Sequence, residues 1–416
     1  CYGREWCWQV AGWDISYKGN AMSEAYIVGA VRTACGRRNG RLRNIHPVDL
    51  GAAVVDELLD RSAVSADVID DVIFGCVSQI GAQAGNLARN VVLASRLDIS
   101  VPGVTVDRQC GSSLQAIQFG AQAVMSQTQD MVICGGVECM SLIPIGSNIS
   151  DGIANGRGVP RGERIDELYP GIEFSQFTGA ELLGNKYHLS RLELDKFGVL
   201  SHQRAAHATR NGYFHREIVP VEVTTEAGDI ETHTVDEGIR YDASLDAMSG
   251  LQPLRPGGLI TAGTASQISD GAAAVLVASR RAVERYNLPV RARIHTLATV
   301  GSDPEIMLEG PIPATEKLLE RADLTIDDID LYEVNEAFGS VPLAWAKAVG
   351  ADLRRLNVNG GAQALGHPLG ATGAKLTTTL LHELERREAR FGLVVICEGG
   401  GTANAMLIER VESIDW

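Results

Sequence analysis

From residue 22 onward, short apolar runs alternate with longer stretches whose apolar positions recur at spacings of three and four. Residues 26–31 (YIVGAV) read as a strand, 48–61 (VDLGAAVVDELLDR) as a helix and 71–77 (DVIFGCV) as a strand again. The pattern continues with a helix over 85–95, a strand over 104–108, a helix over 111–126 and a strand over 130–136. Strands this rich in Val and Ile are covered on both faces, and their alternation with helices predicts an α/β fold.

The pattern repeats. Leu58-Leu59-Asp60-Arg61 matches Leu318-Leu319-Glu320-Arg321 at an offset of 260 residues (58 to 318), and the same offset carries Asp67, Ile69 and Asp70 onto Asp327, Ile329 and Asp330. Cys110 falls at 370, three residues from His367. Two similar α/β halves are expected, each supplying one reactive loop. The first spans 22–140 and is completed by 263–289; the second spans 290–412. Between them, 141–262 is loop-rich, with Gly152, Gly156, Gly158, Gly162 and Gly171, one helical stretch over 190–212 and a short strand over 219–225. Such an insertion is expected to form a loop or cap domain over the substrate. Residues 1–21 fit neither period. They hold Trp6, Trp8 and Trp13 and read as an N-terminal extension before a start at Met22.

Composition narrows the function. Glycine is raised, at 45 of 416 residues, while proline is 14, which points to tight loops and close backbone approaches. The formal net charge of −15 disfavours nucleic acid as a partner. No apolar run approaches the ~18 residues of a membrane helix, so no span is expected. The eight cysteines (Cys1, Cys7, Cys35, Cys76, Cys110, Cys134, Cys139, Cys397) form no CxxC pair and no zinc-like cluster with histidine. Cys76 and Cys134 lie in apolar runs and read as core thiols. With no cleavable leader visible, a reduced, cytoplasmic setting is expected.

Four segments carry candidate chemistry. In VDRQCGSSLQAIQFGAQAVMS (106–126), Cys110 stands where a strand gives way to a helix, a position that favours a thiolate, although strand-end cysteines are often simply buried. In NVNGGAQALGHPLGATGAKL (357–376), five glycines surround His367 and let other segments approach the imidazole. In VVICEGGGTANAMLIER (394–410), Cys397 precedes three glycines; these suit backbone N–H groups aimed at an oxyanion, or merely a hairpin turn. In LYEVNEAFGS (331–340), a strand ends at Asn335-Glu336, which is also an ordinary helix-cap sequence. Two cysteines, a histidine and an asparagine at strand ends beside glycine-rich turns suggest one convergent site.

With these segments the chain resembles the thiolase family of acetyl-CoA C-acyltransferases. The resemblance runs from Met22 to Arg410 and rests on the segment around Cys110, NEAF at Asn335–Phe338, GHPLGATG at Gly366–Gly373, CEGGG at Cys397–Gly401 and TAGTASQISDGAAAV at 261–275. VDRQCGSS, SQF–GAELL and CEGGGTAN are most similar to actinobacterial thiolases of steroid and fatty-acid breakdown. The resemblance implies a five-layered αβαβα thiolase fold and a likeness of roles. Cys110 would be the acylated nucleophile, His367 its base, and Cys397 the acid/base for the enolate and the incoming CoA. One oxyanion hole would use His367 and a water held by Asn335; the other would use the N–H groups of Cys110 and Gly399. Ser266 would meet the pantetheine arm, with Gln176, Phe177 and Phe338 in the substrate pocket. Coenzyme A is then a substrate, no metal or permanently bound cofactor is needed, and a homodimer or homotetramer is expected.

Departures concern specificity. Ser175-Gln176-Phe177 stands roughly where many short-chain relatives have His-Met-Gly. Gln363 replaces an apolar residue and Asn404 a common glycine. Two of these lie near the expected pocket and argue against acetoacetyl-CoA as the preferred substrate. A ketoacyl-synthase-like condensing enzyme would not need Cys397. A thiolase-like protein that binds acyl-CoA or lipid without turnover is disfavoured by the intact set of Cys110, His367 and Cys397.

Overall fold

In the computed structural model, residues 24–225 and 227–411 are described; the expected N-terminal extension lies outside them. The strands are β1 (Ala25–Thr33), β2 (Gly36–Arg37), β3 (Asp71–Gly75), β4 (Gly103–Val106), β5 (Met131–Cys139), β6 (Ile218–Val219), β7 (Val221–Thr224), β8 (Ile230–His233), β9 (Ser269–Ser279), β10 (Ala292–Gly301), β11 (Leu331–Val334), β12 (Phe391–Glu398) and β13 (Thr402–Arg410). The main sheet runs β11-β12-β13-β10-β1-β9-β5-β3-β4. It is two sheets joined at a narrow seam, because β1 and β10 pair only through Tyr26–Arg293 and Ile27–Ala292.

Three apolar cores define five layers. Helices Pro47–Ser62 and Leu87–Ala94 cover the outer face of the first sheet through Leu50, Val54, Leu58 and Val91. Helices Ser112–Met125 and Thr372–Arg387 lie between the two sheets, packing Leu114, Ile117, Leu376 and Leu380 against Ile73, Val275, Val394 and Met406. Helices Pro311–Ala322 and Ser340–Val349 cover the outer face of the second sheet. Helix, sheet, helix, sheet, helix is the αβαβα arrangement.

The repeat has a physical basis. Pro47 and Pro311 each open a helix, where a missing N–H costs nothing, and Ala63 and Asp323 each close one in the left-handed region. A short 3-10 turn and a parallel strand follow each. Asp70 Oδ2 accepts the N–H groups of Asp130 (2.6 Å) and Met131 (2.9 Å); Asp330 Oδ2 accepts those of Arg390 (2.9 Å) and Phe391 (2.8 Å). All three positions are displaced by 260 residues.

The segment between β5 and β9 is more helical than its composition suggests. Beside Arg191–Arg210, entered through a Ser190–Glu193 capping box, it holds Ser147–Ala154, Glu163–Leu168, Gln176–Lys186 and Leu245–Ser249. The predicted strand over 219–225 is divided at Pro220, which has no N–H to donate: β6 pairs with β1, and β7 with β8. Among the described residues no helix is long and apolar enough to cross a membrane.

Arg32 ties this segment to β1. Fully buried, it donates from Nε to Glu217 (2.5 Å) and from Nη1 and Nη2 to Asp236 (2.9 and 3.0 Å). Arg32→Ala leaves two carboxylates buried without their cation. A loss of about 3–5 kcal/mol is expected, read from the urea midpoint; a loss within ~1 kcal/mol would show the cluster to be dispensable.

Candidate active site

Cys110 lies two residues before the helix that opens at Ser112. The turn that presents it is tight: Gln109 has φ of 47°, and Gly111 N–H donates to the Arg108 carbonyl at 3.0 Å. The thiol is 2% exposed, and burial pushes it up to about 12. The Glu398 carboxylate contributes to that rise, and the N–H groups of Cys110 itself and Gly399 oppose it. The expectation of a thiolate from helix position alone is therefore not met. Burial outweighs the helix start, and a base is required.

His367 is suited to be that base. It lies in a loop between helix Ala362–Leu365 and the 3-10 turn Leu369–Ala371, not at a strand end as the motif reading implied. Burial, then the Lys375 charge, lower its pKa to about 3, so the ring is neutral. Thr372 Oγ1 donates to the Pro368 carbonyl (2.9 Å) and so accepts from Nδ1–H of His367 (2.6 Å). That fixes the tautomer and makes Nε2 the acceptor, with Asn335 Nδ2 donating to it at 3.3 Å. Thr372 was not singled out from sequence; five residues beyond a loop histidine, it forms no periodic pattern with it.

Cys397 is fully buried within β12, opposite Ala403 of β13. Burial, Cys110 and Glu398 all push its thiol well up. The glycines after it form the hairpin turn, with Gly400 and Gly401 left-handed at φ of 87° and 78°. The hairpin and the N–H donor are thus one device, because the turn carries Gly399 N–H to the Cys110 sulfur. Asn335 directly follows β11, its N–H donating to the Val395 carbonyl at 3.0 Å.

The histidine loop is held by the first half of the chain. Glu138, fully buried, accepts the N–H groups of Val77 (2.9 Å), Ser78 (3.0 Å) and Gly370 (2.9 Å), plus Gln83 Nε2 (2.8 Å). Gly75 and Gly136 leave room for the Gly370 carbonyl, which a Cβ at either position would strike. The only sequence signal for Glu138 is a charge inside an apolar strand.

A cavity of about 700 Å³ reaches His367. Ser266, Gln176, Phe177 and Phe338 all line it, with Phe177 and Phe338 meeting edge to face at 5.5 Å. Ser266 is set by its N–H bond to the Ala337 carbonyl at 2.9 Å. Gln176 and Phe177 start a helix where a loop was expected. Cys110, Cys397, Asn335 and Gly399 are not among the lining residues, and both thiols are buried. Gln363 lines a separate cavity of about 280 Å³, beside His202 and Arg240. Asn404 donates from Nδ2 to the Gly111 carbonyl at 3.0 Å, so it holds the turn that carries Cys110. Among the described residues no group of three His, Cys, Asp or Glu side chains is arranged to hold a metal ion.

A layered fold with a cysteine, a histidine and a second cysteine drawn from both halves defines a class. The thiolase N-terminal domain model matches residues 25–281 and the thiolase C-terminal domain model residues 288–410, and the chain belongs to the thiolase family. Within it, the chain is 54% identical over 396 residues to the steroid 3-ketoacyl-CoA thiolase FadA6 of Mycobacterium tuberculosis, covering 95% of this chain and 96% of that protein. It is 40% identical to a beta-ketoadipyl-CoA thiolase of Acinetobacter baylyi, covering 94% of this chain and all of that one. The structure of human mitochondrial 3-ketoacyl-CoA thiolase matches with a TM-score of 0.85 at 37% identity, covering 94% of this chain and 100% of that one. Bacillus anthracis acetyl-CoA acetyltransferase matches with a TM-score of 0.86 at 36% identity and the same coverage.

Proposed function

We propose that this thiolase cleaves a bulky or medium-to-long 3-oxoacyl-CoA, of the steroid-derived kind, with CoA as the second substrate and no permanently bound cofactor. His367 Nε2 takes the Cys110 proton, and the thiolate attacks the C3 carbonyl. The C2–C3 bond breaks, leaving an acyl thioester on Cys110 and the acetyl-CoA enolate, which takes a proton at C2 from Cys397. The Cys397 thiolate then removes the proton of an incoming CoA thiol. The CoA sulfur attacks the acyl carbonyl, and Cys110 leaves and recovers its proton from His367. The N–H groups of Cys110 and Gly399 hold the oxyanion at the attacked carbon. The His367 N–H and Asn335 serve the enolate oxygen. Both thiols suit proton transfers to carbon and sulfur.

The observation that carries the substrate size is the cavity of about 700 Å³ at His367, walled by Phe177 and Phe338. Relatives near 40% identity bear names with different acyl groups, whereas the relative at 54% is named for steroids. A panel of 3-oxoacyl-CoA substrates, followed by loss of 3-oxoacyl-CoA absorbance, tests it. kcat/KM for a bulky substrate is expected to exceed that for acetoacetyl-CoA at least about tenfold, or ~1.4 kcal/mol in transition-state binding. Preference for acetoacetyl-CoA across the panel would overturn the reading.

The same proposal places 141–262 as the cap, with 22–140 and 263–289 as one half and 290–412 as the other. It places the enzyme in the cytoplasm as a homodimer or homotetramer. The open edge of β4, with Val104 exposed and Ile99 and Leu93 nearby in the chain, supports self-association.

A further inference from the structure

Behind the nucleophile turn sits a carboxyl group to which the reaction above assigns no task. Glu398 directly follows Cys397 and is fully buried. Its Oε2 accepts from Thr402 Oγ1 at 2.6 Å, while its Oε1 has no hydrogen-bond partner. In the β12–β13 register Glu398 faces Thr402 and Ile396 faces Asn404, which puts Glu398, Thr402 and Asn404 on one face of the hairpin. Asn404 Oδ1 is likewise buried without a partner, because its Nδ2 is committed to the Gly111 carbonyl. Both bare oxygens occupy the space that a Cβ on Gly111 would need. Two buried acceptors converging beside one glycine lack only a proton between them.

We infer that Glu398 rests as the neutral acid, its proton shared toward Asn404 Oδ1 to brace the nucleophile turn, and that its ionisation restrains thiolate formation at Cys110. The inference rests on the assignment of Cys110 above. It makes Glu398 a positioning residue that acts through the turn and through its charge. Burial raises its pKa to about 8, against the hydrogen bond from Thr402 and the charge of Arg108, with Asp107 adding to the rise. The titratable and charged groups facing it are Asp107, Arg108 and Cys110 from the turn and Cys397 from its own strand; β13 presents only the neutral Thr402 and Asn404. Below that pKa the acid is neutral and Cys110 feels no charge from it. Above it, a carboxylate stands beside both thiols and opposes their ionisation.

The test is alkylation of Cys110 by iodoacetamide across a pH series, read by peptide mass in the full-length protein. It reports on the thiol whether or not that thiol is the nucleophile, so its failure is distinct from failure of the proposed function. The ratio of Glu398→Gln to wild-type rates is expected to be near one at about pH 6.5 and to rise to at least about threefold by about pH 9.5 as wild-type Glu398 ionises. A change in packing alone would give a ratio that does not vary with pH. Thr402→Val removes the donor that favours the ionised form and leaves the backbone undisturbed. Its rate is expected to exceed wild type around pH 8–9 and to converge with it at higher pH. Ratios independent of pH in both variants would overturn the inference.

Discussion

With Cys110 replaced by alanine, incubation with an acyl-CoA is expected to leave no acyl mass on the chain. Turnover is expected to fall at least about 10⁴-fold, the scale on which loss of a nucleophile acts. The reason lies in the surroundings of the sulfur. Two backbone donors face it, the neutral His367 is the proposed base, and Cys397 lies close enough for Cys110 to push its thiol up. The variant should fold, because a buried methyl replaces a buried thiol in a turn set by backbone bonds. Intact-mass spectrometry followed by peptide mapping decides the matter, and acylation on any other cysteine would overturn the assignment.

Cys397→Ala should behave differently. Its Cys110 should still accept an acyl group from acyl-CoA, because that step draws on His367 and the backbone donors. Turnover should fall about 10²–10⁴-fold, since the enolate loses its proton source and the incoming CoA its base. The signature is an acyl-enzyme that accumulates and decays slowly, seen by rapid-quench mass spectrometry. Near-normal turnover in this variant would favour a condensing enzyme of the ketoacyl-synthase kind.

The alternation of strands and helices up to β5 was legible because the apolar runs of β1, β3 and β5 are buried on both faces and the helix after β1 keeps apolar positions at spacings of three and four. The short helices of the inserted segment were not. Ser147–Ala154 and Glu163–Leu168 bury no residue, so no core-facing stripe marks them. Cys110, His367 and Cys397 were legible through the glycines beside them, and Ser266, Gln176, Phe177 and Phe338 only through the family resemblance. The protonation states of the first three were not. A helix start suggested an acidic Cys110, but burial, a tertiary property, outweighs it. Glu138 and Glu398 could be noticed only as charges inside apolar strands, and nothing local shows that one grips the Gly370 loop while the other flanks the nucleophile turn.

The offset of 260 residues that relates the helix turns also relates Glu138 to Glu398 and Ser112 to Thr372. A chain whose halves superpose in this way is its own partner. In a symmetric pair of single halves, both reactive loops would carry the same side chains and neither could change without the other. Once joined in one polypeptide they are free to diverge, so one loop keeps the thiol while its counterpart supplies the imidazole. Division of labour between paralogous halves then costs nothing in assembly, because Glu138 and the glycines beneath Gly370 hold the two loops together within a single chain.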